Sequence, residues 1–152
     1  MKLRRKLAVA AGALFTLSFF LPAFGELSGV ACFGFCWNIL THYGQEHDLS
    51  LGGWLYYSGF VLANALFVAL LVAILCPAAP TALRRWMSAL ATLQVISWFF
   101  VNLVARWNGD RFNVEIGYFL WLLAYLLLFA AHSVPERAEG HAPGGGELPL
   151  GS

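Results

Sequence analysis

The sequence predicts an all-α membrane protein: a four-transmembrane-helix antiparallel bundle with both termini cytoplasmic and a short interfacial helix in the first outer loop. Three observations predict it. Hydrophobic residues make up 60% of the 152 positions and charged residues 11%, against roughly 45–50% and 25% in soluble domains. Four stretches are long and charge-free enough for a bilayer core, which needs roughly 20 helical residues. Lysine and arginine gather on one side of those stretches. The composition excludes a soluble globular domain, a disordered chain and a nucleic-acid-binding protein.

The first stretch, residues 7–24, carries no charge over 18 positions. Pro22 is expected to end or kink it, because proline lacks the backbone N–H a helix needs. The second charge-free run covers residues 49–83, but Pro77 and Pro80 break it, so its helix is expected at 51–75. The third is expected at 86–105 and the fourth at 115–133. In lipid every backbone polar group needs an internal partner, and these runs lack the alternation of a membrane barrel, so they read as helices. They form one domain, residues 1–134, followed by a Gly- and Pro-rich tail, 135–152, expected to be disordered in the cytoplasm. The opening segment also fits a signal peptide with Ala23-Phe24-Gly25 as cleavage site. Its apolar run exceeds the usual 7–15 residues of such peptides, so retention as the first helix is expected and cleavage stays open.

Orientation follows the basic residues. Lys2, Arg4, Arg5, Lys6, Arg84, Arg85 and Arg137 fall on one side, and only Arg106 and Arg111 on the other. The first side is therefore expected in the cytoplasm. Trp37, Trp54, Tyr56, Tyr57, Trp98, Trp107, Phe112 and Tyr118 then fall toward the outer interface, with Trp86 at the inner one. They read as interfacial anchors rather than a ligand cage. The absence of an Asn-x-Ser/Thr sequon fits a bacterial inner membrane.

The longest outer loop, about 25–50, contains the mostly apolar run VACFGFCWNIL. It is expected to lie in the interface as a short helix, or to tuck between the transmembrane helices as a lid, with Gly29 and Gly34 limiting its rigidity. Cys32 and Cys36 sit four apart, on one helical face and within disulfide reach, on the oxidising side of the membrane. They read as a structural disulfide, two buried thiols or a redox pair. Cys76 falls at the cytoplasmic end, on the wrong side to join them, and reads as a packed thiol. His42, Glu46, His47 and Asp48 lack metal-ligand spacing, so no metal is expected; Asp48 or Ser50 is expected to cap the second helix.

No Asp, Glu, Lys or Arg is expected within the membrane, which argues against a proton-coupled transporter. His132 is placed near the inner end of the fourth helix. Asn64 and Gln94 fall near the centres of the second and third helices, so a hydrogen bond between them is expected, with Ser97 close to the face of Gln94. These three residues read as interhelical polar contacts or as ligand-site candidates. Ala8, Ala11 and Gly12, and the pair Gly59 and Ala63, read as close helix contacts.

Two resemblances follow. Four helices, cytoplasmic termini and a cysteine pair after the first helix resemble quinone-linked disulfide-oxidising proteins of the DsbB type, which would imply a quinone cofactor. The chain departs from that pattern in its spacing, Cys32-Phe-Gly-Phe-Cys36, and in lacking a second cysteine pair in residues 106–115. Ser18-Phe-Phe-Leu-Pro22-Ala-Phe, Leu62-Ala-Asn64 and Gly117-Tyr-Phe-Leu-Trp121 resemble a loose group of small uncharacterised bacterial four-helix inner-membrane proteins. That resemblance implies a fold and a host, and no activity.

The functional expectation is a small non-enzymatic membrane protein. It would be an accessory or structural subunit that meets the lipid bilayer and either another membrane protein or a copy of itself, with no catalytic residue, metal or cofactor. The alternatives are a binder or carrier of a lipid or quinone, with residues 30–40 as lid near Asn64 and Gln94, and a thiol–disulfide oxidoreductase using Cys32 and Cys36 with quinone.

Overall fold

A computed structural model describes residues 3–43, 50–75, 80–109 and 114–134. It is 87% helical. α1 (Leu3–Phe20) leads into a two-stranded antiparallel hairpin of β1 (Pro22–Phe24) and β2 (Leu27–Ser28). Then come α2 (Gly29–Asn38), continued by a π-helical turn over Ile39–Tyr43, and the long helices α3 (Leu51–Leu75), α4 (Thr81–Trp107) and α5 (Ile116–Ser133). Among the described residues three helices, α3, α4 and α5, are long and apolar enough to cross a membrane. α1 equals α5 in length, 18 residues, but carries Arg4, Arg5 and Lys6 near its start.

The helix boundaries follow from local chemistry. Ser50 starts α3: its Oγ accepts from Gly53 N at 3.2 Å and its carbonyl from Trp54 N at 3.0 Å. Asp48, Cys76 and the tail from 135 onward lie outside the described residues. Ser28 caps α2, its Oγ accepting from Ala31 N at 3.3 Å. α1 starts before residue 7 and α4 before residue 86 because charge excludes a residue from the bilayer core, not from a helix. α1 stops at Phe20, short of residue 24, because Pro22 opens a strand there.

α1 runs along α5 in the most extensive helix contact; α5 packs on α4, and α4 on α3. The buried small residues Ala8 and Ala11 of α1, and Ala124 and Ala131 of α5, suit close packing. At one end of the bundle the backbone of α1's exit touches the start of α5. A Cβ on Gly117 would stand 2.6 Å from Pro22 O and 2.8 Å from Leu21 O, so only glycine fits. The hairpin extends this junction: Phe24 pairs with Val114, and Glu115 N donates to Ala23 O at 3.0 Å.

The opposite end is held by two cationic or imidazole side chains on α3 carbonyls. Arg84, buried in the first turns of α4, donates from Nη1 to Ala73 O at 3.0 Å and from Nη2 to Thr81 Oγ1 at 3.2 Å. Ala73 belongs to the last turn of α3, whose carbonyls have no partner within the helix. His132 Nε2 donates to Leu70 O at 3.2 Å. The start of α4 and the ends of α3 and α5 therefore meet.

Between the ends the core is aromatic. Phe15 stacks on Phe67 with ring centroids 4.0 Å apart, Phe60 on Trp98 at 5.0 Å, and Trp121 meets Tyr125 edge-on at 5.2 Å. This corrects part of the anchor reading. Trp98 and Tyr118 are buried core residues, whereas Trp37, Trp86 and Trp107 stay exposed as anchors would.

The contact at Gly117 yields a test. Gly117→Ala should lower stability by about 1–3 kcal/mol, the usual cost of forcing an extra carbon into a packed site. Reversible unfolding of the detergent-solubilised protein measures it; an unchanged midpoint would contradict the 2.6 Å approach.

Candidate functional site: a thiol-lined aromatic cleft beneath α2

α2 lies across the hairpin end of the bundle, packed on α3 and on the end of α1. A Cβ on Gly29 would meet Ser18 O at 2.7 Å and Phe19 Cα at 2.8 Å, so the first residue of α2 rests directly on the backbone of α1. Its amide donates to Leu21 O at 3.2 Å. The helix is thereby fixed at its start, and its cysteine face turns toward α3 and α4.

Beneath it opens a cleft of about 410 Å³. Phe24 and Leu27 of the hairpin form one wall, Cys32, Phe35 and Cys36 the roof, and Tyr56, Tyr57, Phe60, Trp98, Val101 and Asn102 the rest. The volume lies within the range of small-molecule sites, about 300–1,000 Å³, and the lining has their usual character: apolar and aromatic, with few polar groups. Tyr56 stacks on Trp98 at 4.9 Å between centroids, and Trp98 stacks in turn on Phe60, giving the cleft a rigid aromatic side. Asn102 is buried; its Nδ2 donates to Trp98 O at 2.9 Å, and the Tyr118 hydroxyl donates to Val95 O at 3.5 Å.

Cys32 and Cys36 are both buried free thiols on the cleft's roof. Cys32 Sγ donates to Leu27 O at 3.9 Å. Burial raises the Cys32 thiol above its ordinary range, against the opposing pull of backbone N–H groups. Burial first, and the neighbouring Cys32 charge second, push Cys36 up from 9.0 to about 12. Thiol exchange and oxidation need thiolate. At neutral pH this pair is held protonated, the opposite of an activated redox pair.

The polar residues of the bundle interior do not join this site. Asn64 is buried, but its partner is not Gln94. Its Nδ2 donates to Phe60 O at 2.8 Å and its Oδ1 accepts from Trp121 Nε1 at 2.9 Å, linking α3 to α5. The indole N–H of a buried tryptophan needs an acceptor, and Trp121 finds it here. Gln94 lies on the outside of α4, with its Nε2 against Gly59. Ser97 bonds back to Gln94 O at 2.7 Å and links no helices. A cavity shared by Asn64 and Gln94 is absent among the described residues: Asn64 borders a void of about 20 Å³, and Gln94 a separate surface groove. The lid therefore covers a cleft nearer the hairpin end.

His42 is exposed and takes a 2.7 Å contact from Thr41 Oγ1 to its Nδ1; Glu46, His47 and Asp48 lie outside the described residues. Among the described residues no three metal-ligating side chains converge. Sequence reasoning missed the lining role of Phe35, Tyr56, Trp98 and Asn102, which depends on how α3 and α4 rotate. Comparisons with protein-family profiles, curated proteins and solved structures give no match to this chain.

Two measurements check this geometry. A double-mutant cycle of Asn64→Leu with Trp121→Phe should show a coupling of about 0.6–2 kcal/mol, the range for interhelical polar contacts in membranes; the cycle of Asn64→Leu with Gln94→Leu should show none. With Cys32 and Cys76 replaced by serine, Cys36 should still react with a maleimide at pH 8 more slowly than a free cysteine, because burial, the larger cause of its raised pKa, remains. The rate should keep rising with pH beyond 9, where a free thiol levels off.

Proposed function

We propose that this chain is a non-enzymatic membrane protein that holds one hydrophobic small molecule, a lipid chain or a quinone, in the cleft beneath α2. The observation that carries this reading is the cleft itself: about 410 Å³ lined by stacked aromatic rings, with few polar groups and a lid helix fixed at its start. The suppressed thiolates at Cys32 and Cys36 favour binding over thiol–disulfide exchange. A subunit role is compatible with the same site, the bound molecule then being a structural or carried component.

The membrane arrangement belongs to the same proposal. α1 lies along α5 and matches it in length, about 27 Å at 1.5 Å per residue, so it serves as a fourth span. The bias of basic residues then places both termini in the cytoplasm and the cleft at the outer leaflet, within reach of membrane-dissolved ligands. The resemblance to small bacterial proteins, and the absence of an Asn-x-Ser/Thr sequon, support the inner membrane of a bacterium.

Native mass spectrometry of protein extracted from its own membrane in mild detergent tests the reading. About one lipophilic molecule per chain should be retained. Val101→Trp, at a half-exposed position on the cleft wall, should displace it while the helical circular dichroism stays unchanged. A chain without a retained molecule, or equal retention by the variant, would overturn the proposal.

A further inference from the structure

A second site lies on the other side of the α3–α4 pair. Gln94 is the midpoint of α4, thirteen residues from each end, and therefore sits near mid-depth if α4 crosses the bilayer. It is exposed on the outside of the bundle, and among the described residues its carboxamide makes no hydrogen bond. An amide facing hydrocarbon without a partner is costly. Asn64, at a similar depth, has both ends of its amide engaged. The buried hydroxyls of Ser88 and Tyr125 also lack a partner, but Gln94 carries its unserved polar group on the outer surface, where a neighbour could reach it.

Next to it runs a groove of about 460 Å³ between α3 and α4. Its floor is Gly59, Ala63 and Ala91, and Leu62 and Leu90 flank it. Small residues allow another helix backbone to come close, the condition for packing and polar contacts between membrane helices. The unserved amide lies over this floor, its Nε2 resting against Gly59.

We propose that this groove is where a second copy of the same chain docks, with Gln94 bonded to the partner's Gln94. The identity of the occupant follows from symmetry. Two copies inserted in the same sense are related by a two-fold axis along the membrane normal, which keeps every residue at its own depth. A carboxamide carries both a donor and an acceptor. Two of them at equal depth beside that axis satisfy each other, with no further polar residue required. A different partner would have to supply a matching polar group at that same depth. The groove and the cleft beneath α2 share no lining residue, although the Trp98 ring of the cleft reaches the back of Gly59.

The test is energy transfer between donor- and acceptor-labelled copies reconstituted in phosphatidylcholine vesicles over a range of protein-to-lipid ratios. The wild-type chain should show saturable transfer that follows a monomer–dimer curve. Gln94→Leu should weaken association about 3- to 30-fold, the equivalent of losing polar contacts of roughly 0.6–2 kcal/mol. Gln94→Asn should restore part of the loss, which a purely apolar interface would not show. Gly59→Leu should abolish transfer, since it fills the floor and displaces Gln94; unchanged helical circular dichroism confirms that this variant remains folded. If Gly59→Leu does not fold, Gln94→Leu and Gln94→Asn alone decide the matter. Transfer no greater than random proximity in the wild type overturns the proposal, whether the groove holds lipid or another protein. Transfer unaffected by Gln94→Leu also overturns it.

Discussion

The break after α1 sets the rest of the structure. Pro22 cannot continue the helix, and a chain leaving helix beside a bilayer must still pair its backbone polar groups. Here the freed carbonyls are met by other elements: Leu21 O accepts from Gly29 N, and Ala23 O from Glu115 N. These two bonds tie the end of α1 to the start of α2 and to the start of α5. The absence of a side chain at Gly117 makes the second tie possible. From this junction α5 is laid along α1, and α2 is laid over α3 and α4. The cleft is the space that remains under α2 once its start has been fixed on the backbone of α1.

The same arrangement governs the chemistry available to the thiols. A cysteine on the exposed face of an interfacial helix would meet water and titrate normally. Because the start of α2 is pressed onto α1, Cys32 and Cys36 face inward, among Tyr56, Tyr57 and Trp98. Among the described residues no cationic side chain lines the cleft to favour thiolate. A dithiol pattern in sequence is therefore compatible with a binding surface: two compact, polarizable side chains roofing an aromatic site. The spacing allowed a redox reading, and the surroundings weigh against it.

The sequence was most legible where a local rule decides. α3 occupies residues 51–75 as expected, because Ser50 caps its start and the run gives way before Pro77. The short helix in the first loop was also foreseen from its apolar run. Charge-free length was a poorer guide to α1 and α4, whose ends extend to Arg4, Arg84 and Arg106. Arg84 in particular was read only for its sign, although its guanidinium closes the end of α3. Helix rotation was the least legible feature. α3 is apolar all round, so nothing in its pattern says that Tyr56 and Phe60 face a cleft while Leu62 faces outward. Trp98 and Tyr118 were misplaced for the same reason: an aromatic near a helix end can serve as an anchor or as core, and only the neighbouring helix decides.

The hairpin had no clear signal. Three residues of strand paired with two make no periodic pattern, and the pairing matters because it joins segments far apart in the chain, Phe24 with Val114. The contrasting fates of Asn64 and Gln94 come from the same kind of long-range fact. Both are amides at the centre of a long helix, and from sequence they look like mutual partners. Trp121 takes the acceptor of Asn64, and its own indole N–H is satisfied in the process. That contact is specific to α5, whose position is fixed one turn earlier, where Gly117 meets the backbone of Pro22. With α5 supplying the partner of Asn64, Gln94 is left on the outer face of α4 with no hydrogen bond among the described residues.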